Sequence, residues 1–232
     1  MKLAGSTALV TGANRGLGRH LTEQLIARGA AVYAAARNPE SLDLPGAIPI
    51  TLDITDPASV DAAAKATGNV TVLINNAGSL IGGSFLLSPI NDIRREMETH
   101  YFGTLAVTRA FAPQLAAAGT SAVLNVLSVM SWYTSPEMSA YSAAKSAEWS
   151  LTNALRLELA SQGTQVSALH VGYIDTDMAR HVEADKSDPA TVAQLALDGV
   201  EAGEIEILAD DMSANIRAGL AAGARALYPQ FA

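Results

Sequence analysis

Seven short, nearly continuous apolar runs alternate with longer stretches of helical period along this chain, and that alternation constrains the fold more than any other feature. The runs are Thr7–Val10, Ala31–Ala36, Ile48–Leu52, Val70–Asn75, Ala122–Leu127, Gln165–Val171 and Glu204–Ala209. Between them the pattern predicts helices over Gly16–Arg28, Pro57–Thr67, Asn91–Ala118, Ser139–Gln162 and Pro189–Ala202. A strand with one wet face alternates apolar and polar residues, whereas a strand covered on both faces is apolar throughout. The expected fold is therefore α/β, a doubly wound parallel sheet of about seven strands with helices on both faces. At 232 residues the chain is long enough to bury one such core without a disulfide or metal staple. No linker, low-complexity segment or charge run divides it, so a single domain over residues 1–232 is expected, with a polar segment near 173–188 as a short substrate loop.

Composition narrows the chemistry. With no cysteine there can be no disulfide, thiolate nucleophile or iron–sulfur cluster, and no metal site is expected. The net charge of −8, without a local Lys/Arg cluster, argues against nucleic acid as a partner. No basic, apolar and cleavage-site series opens the chain, so a cytoplasmic location is expected. Residues 110–136 carry no charge, but Pro113, Gln114, Gly119 and Asn125 interrupt them, and no membrane partner is expected.

The first strand runs into Thr11-Gly12-Ala13-Asn14-Arg15-Gly16-Leu17-Gly18 and then into a helix. Glycines let a backbone approach a pyrophosphate, and the free N–H groups at a helix start bind its charge. A cofactor with free ribose hydroxyls meets an acid at the end of the second strand, whereas a 2′-phosphate needs cations. Here the second strand ends in Arg37, and Arg15 adds a second guanidinium from the turn. Two planar cations suit one phosphate, so the expected cofactor is NADP(H).

Three further motifs lie at strand ends or on the following helix: Asn75-Asn76-Ala77-Gly78, Ser128, and Tyr141-Ser142-Ala143-Ala144-Lys145. With the spacing of Gly12, Gly16 and Gly18 they resemble the TGxxxGxG, NNAG and Ser-Tyr-Lys signatures of the short-chain dehydrogenases/reductases, whose domain is Rossmann-type. The resemblance runs from Thr11 to the last strand near Ile207. It implies cofactor contacts from Asn14, Leu17, Ile54, Asn75, Ala77 and Gly78 besides the glycines and arginines. Asp53 would accept a hydrogen bond from the adenine amino group; as an alternative, it could cap the helix starting near Pro57. The long helices before and after Ser128 resemble those that pair subunits in this family, which implies a homodimer or homotetramer.

Tyr141 and Lys145 stand four residues apart and so share one helix face. A phenol titrates near pH ~10, and bringing it near neutrality takes about 4 kcal/mol of differential stabilisation. A nearby ammonium favours the phenolate, so the expected shift at Tyr141 is downward. Ser128 precedes Tyr141 by thirteen residues, the family interval. The resemblance implies that Tyr141 is the acid/base, that Ser128 holds the carbonyl oxygen, and that Lys145 binds the ribose, making Tyr141 and Lys145 cofactor contacts too.

Three positions depart from the family, the first being Leu127, which replaces the first serine of a common SS pair and leaves Ser128 in place. His100 stands where an asparagine is usual; it either relays protons or is an inert packed imidazole. After the sixth strand, Val171 replaces the proline of a PGxxxT segment, while Gly172, Ile174 and Thr176 keep the contacts expected at the nicotinamide end. The substrate pocket is expected between 79–87, 130–138 and 173–183, with Trp132, Tyr133, Met138, Tyr173 and Met178 facing an apolar or aromatic carbonyl compound. The expected activity is NADPH-dependent reduction of a ketone or aldehyde to an alcohol, reversible. A catalytically silent NADP(H) sensor is the alternative.

Overall fold

The computed structural model describes residues 1–231. Seven parallel strands form one sheet in the order β3-β2-β1-β4-β5-β6-β7. They are β1 Thr7–Thr11, β2 Ala31–Ala36, β3 Ala47–Thr51, β4 Val72–Asn75, β5 Ser121–Val126, β6 Thr164–His170 and β7 Glu206–Leu208. The apolar runs thus form the strands, with bounds moved by a residue or two. Central β4 is buried at every position, as two-sided cover requires. Edge strand β3 is not, and it accommodates Pro49, whose missing N–H would break a central ladder.

The period-2 geometry of each strand divides its residues between two cores. Ala8, Val10, Val72, Ile74, Ala122 and Leu124 pack under helices α1 (Gly16–Ala27) and α6 (Pro189–Ala202). Leu9, Leu73 and Val123 pack on the other face, under α2 (Pro57–Ala66), α4 (Thr104–Ala117) and α5 (Ser139–Glu158). Asp56 caps α2 by accepting from the Ala58 N–H, so the cap alternative considered for Asp53 belongs to its neighbour three residues on.

The single helix expected over 91–118 is three pieces. It opens as α3 (Ile90–Met97), widens into a π-helical turn over Glu98–Gly103, and continues as α4. Gly103 fits there because a Cβ on it would come 2.9 Å from Ile54 Cδ1. Single π turns occur often at functional sites, and this one carries His100. Beyond β7 the chain adds α7 (Asp211–Ala221) and the one-turn α8 (Ala224–Leu227), neither anticipated from the apolar pattern. The signal for α7 was its capping box: Asp210 accepts from the Ser213 N–H at 2.7 Å and the Ser213 hydroxyl returns to the Asp210 backbone.

The order of strands reverses at β1, which has β2 on one side and β4 on the other. Loops leaving the carboxyl ends of β1 and β4 therefore diverge to opposite faces, opening a crevice between them.

Candidate active site

That crevice is a cleft of about 1100 Å³. At one end lies the glycine turn, with Gly12 and Gly16 at φ of +66° and +53°. A Cβ on Gly18 would overlap the Gly12 carbonyl and the Asn76 side chain. The turn is braced from β4: the Asn76 amide donates to the Thr11 and Gly12 carbonyls at 2.9 and 3.2 Å, and Thr11 Oγ1 accepts from the N–H groups of Asn76 and Ala77. No side chain caps α1 and its first turn carries no acid. Uncapped N–H groups behind a glycine turn fit an anionic diphosphate. Asn14, Arg15 and Leu17 line the cleft with these glycines.

Arg37 and Asp53 line the same end, with Ile54 beside them. Arg15 is exposed, its guanidinium 3.6 Å from Asp177. Asp53 is held below the usual carboxylate range first by the Thr55 N–H, then by the Thr55 hydroxyl and Arg37, which together outweigh its partial burial.

Asn75 is the one predicted cofactor residue that turns away. It is buried within the sheet, donating to Asn125 Oδ1 at 2.8 Å and Thr108 Oγ1 at 3.0 Å, while Asn125 donates onward to Thr152. Alternation along β4 sends Asn75 inward and leaves Asn76, with Ala77 and Gly78, on the cleft.

The other end of the cleft gathers Ser128, Tyr141, Lys145 and His100. Ser128 follows β5, and its Oγ accepts from the Met130 N–H at 3.2 Å. Tyr141 and Lys145 project from the first turns of α5, the ammonium 5.9 Å from the centre of the phenol ring. Lys145 is buried and donates to the Val126 carbonyl at 2.8 Å and to Glu148 Oε2 at 2.7 Å. Burial disfavours the ammonium, but Glu148 and the other acids nearby outweigh it and raise the Lys145 pKa.

Two buried carboxylates here, Glu148 and Glu96, were not anticipated, since neither belongs to the family signatures. Glu148 also accepts from the Thr104 hydroxyl at 3.0 Å. Glu96 accepts from the Ser79 hydroxyl and from the N–H groups of Ile81 and Gly82; these donors and His100 overcome burial and keep its pKa low. It thereby ties one rim of the pocket to α3. His100 lies between the two acids, with Nε2 2.9 Å from the Ser79 carbonyl and Nδ1 3.8 Å from Glu148. Its ring packs edge-on to Tyr141 at 5.2 Å, and a Cβ on Gly78 would come within 2.9 Å of it.

The expected downward shift at Tyr141 is not what this arrangement produces. Loss of water contact raises the phenol pKa; Lys145 and Ser128 oppose that, but Glu148 and Glu96 counter them and the net direction is upward. An ammonium shared with a carboxylate is a weaker anchor for a phenolate than a free one.

The segment after β6 closes the cleft with Gly172, Ile174 and Thr176. Asp210 holds it by accepting from the Gly172 N–H at 2.7 Å. The loop beyond is pinned at its base, where Ser187 N–H donates to the Tyr173 carbonyl at 2.8 Å and Asp175 N–H to the Ser187 carbonyl at 3.0 Å. Tyr133, Met138, Tyr173 and Met178 line the cleft as expected, and Met212 and Ile216 of α7 join them. Trp132 does not. It is buried beneath, stacked on His170, because the short helix Val129–Ser131 rotates it away from the opening.

A parallel sheet whose crevice opens on a glycine turn at one end and on a serine, tyrosine and lysine at the other defines a dinucleotide-binding oxidoreductase. Residues 6–187 match the family model described as short chain dehydrogenase, and the chain belongs to that family. It is 31% identical over 221 residues to mouse dehydrogenase/reductase SDR family member 7B, covering 88% of this chain and 68% of the relative. A Burkholderia cenocepacia short chain dehydrogenase solved in complex with NADP superposes with a TM-score of 0.95 at 38% identity, covering 99% of this chain and 98% of that one. A Burkholderia phymatum member solved with NAD gives 0.83 at 26% identity, with 95% of each chain covered. The family uses a nicotinamide cofactor.

Proposed function

We propose that the chain is an NADPH-dependent carbonyl reductase, acting reversibly on a ketone or aldehyde. The observation that carries this reading is the convergence of Ser128, Tyr141 and Lys145 on one cleft that continues into the glycine turn and both arginines. When bound, the nicotinamide supplies a hydride to the carbonyl carbon. Ser128 orients and polarises the carbonyl oxygen, and Tyr141 donates a proton to it. A phenol whose pKa is raised is protonated at neutral pH, the state that reduction requires. Lys145 holds the ribose and supports the phenolate left after transfer. His100 backs the Tyr141 ring; at 3.8 Å its Nδ1 is too far from Glu148 for a hydrogen bond, so in this geometry it packs rather than relays.

The preference for NADPH rests on Arg15 and Arg37 at the cofactor end, without an acid at the close of β2, and is supported by the NADP-bound relative. An apolar substrate suits the Met138, Tyr173, Met178 and Met212 walls, and the loop over 173–188 closes on it. Association through α4 and α5 as a homodimer or homotetramer accounts for Leu157 of α5 standing 80% exposed; sedimentation as a monomer would refute it.

The test follows NADPH and NADH oxidation by absorbance against a panel of ketones and aldehydes. Tyr141→Phe should retain NADPH binding and lose turnover by a factor of about 10²–10⁴ or more. Turnover retained in that variant would remove Tyr141 from the chemistry.

A further inference from the structure

Glu148 stands outside the cleft, behind the lysine that lines it. Its side chain is buried, one oxygen bound to the Lys145 ammonium at 2.7 Å and the other to the Thr104 hydroxyl at 3.0 Å. A buried carboxylate held by two donors has a fixed position, and its charge acts at nearly full strength on what surrounds it. The Lys145 ammonium is in direct contact with Glu148 but lies 5.9 Å from the centre of the Tyr141 ring.

We propose that Glu148 is a positioning residue for proton transfer: by ion-pairing Lys145 from behind, it takes up much of the ammonium's charge and keeps Tyr141 a proton donor. This rests on the reading of Tyr141 as the acid/base. Its consequence is chemical direction: reduction uses the phenol as it stands, whereas alcohol oxidation must first ionise it and is displaced to higher pH.

The charged and titratable groups facing Tyr141 are few. Lys145 and Glu148 come from α5 itself, Glu96 from α3 and His100 from the π turn. His170 lies behind Ser128, its Nδ1 3.3 Å from the Ser128 carbonyl, and burial drives its pKa down to about 3, so it adds no charge at neutral pH. Among these, Lys145 favours the phenolate while Glu148 and Glu96 oppose it. Glu96 is satisfied by donors of its own from the 79–82 segment; Glu148 alone contacts the lysine.

The experiment is an alkaline titration of Tyr141 in the protein without substrate, read as the ultraviolet difference between each protein and its Tyr141→Phe counterpart. Circular dichroism marks the pH at which the fold is lost. Glu148→Gln should bring Tyr141 ionisation to lower pH by roughly half a unit or more, since one facing anion is gone. If Glu148→Gln does not fold, Glu148→Leu carries the same test. Once an alcohol substrate is in hand, the alkaline limb of its oxidation should move the same way, with the KM for NADP⁺ little changed; a purely structural role would not move that limb. Coincident titration curves, including the case in which neither protein ionises Tyr141 before unfolding, overturn the proposal, as does a shift to higher pH. Retained turnover in Tyr141→Phe would sink the catalytic reading while leaving the titration result standing.

Discussion

The His170 imidazole lies nearly flat on the Trp132 indole, ring centres 3.7 Å apart, directly behind Ser128. Its Nδ1 faces the Ser128 carbonyl at 3.3 Å, so the ring is one of the supports under the site. Burial is the main reason its pKa falls from 6.5 to about 3. A histidine depressed in the folded state contributes stability above its unfolded pKa and loses it as pH falls toward the folded value. Stability should therefore drop between neutrality and acid, by about 2 kcal/mol at roughly pH 5 from this residue alone. Urea unfolding across that range would show it, and His170→Leu should flatten the slope. An unchanged slope would mean that the ring titrates in the native protein as it does in the unfolded chain.

Gly18 touches the Gly12 carbonyl and the Asn76 side chain where any Cβ would have to sit. Gly18→Ala should cost about 3 kcal/mol by forcing backbone apart, with NADPH affinity falling in the fraction that stays folded. Thermal unfolding and cofactor titration together check this. A stable variant that binds normally would show that the turn yields enough to admit a Cβ at Gly18.

Arg15 and Arg37 flank the glycine-turn end of the cleft. Replacing either with alanine should weaken NADPH by roughly tenfold or more, the scale of a charge-assisted hydrogen bond, and NADH far less. Fluorescence titration of both cofactors reads the difference. Equal losses would place the arginines on some other part of the dinucleotide.

Asn75 joins β4 to β5 and α4 through Asn125 and Thr108. Asn75→Ala leaves buried partners unpaired and should destabilise by about 2–3 kcal/mol, read as a shift in urea midpoint. An affinity loss for NADPH as large as the stability loss would instead put this side chain in the cleft.

Much of the site could be read from local pattern. The glycine spacing, the Tyr141–Lys145 interval and the ends of β1, β4 and β5 are properties of short segments, and the backbone places them with little outside help. The motif by itself does not tell Asn75, the residue expected at the cofactor, from Asn76, because a one-residue difference in register decides which of two adjacent amides faces the sheet interior. Trp132 lies beneath the pocket and not on its wall for a similar reason: an aromatic near Ser128 fits a pocket wall as well as a core, and the turn of Val129–Ser131 decides.

By itself, the sequence determined the parallel α/β architecture, the glycine turn after β1 and the positions of the serine, tyrosine and lysine that line the same cleft, because periodicity and motif spacing act over a few residues. Only the tertiary structure decided that Glu148 meets Lys145 from behind, that Glu96 and His100 complete a buried cluster, and that the Tyr141 pKa moves up rather than down. Those outcomes depend on which groups burial forces together and on how much water it removes, and long-range packing sets both.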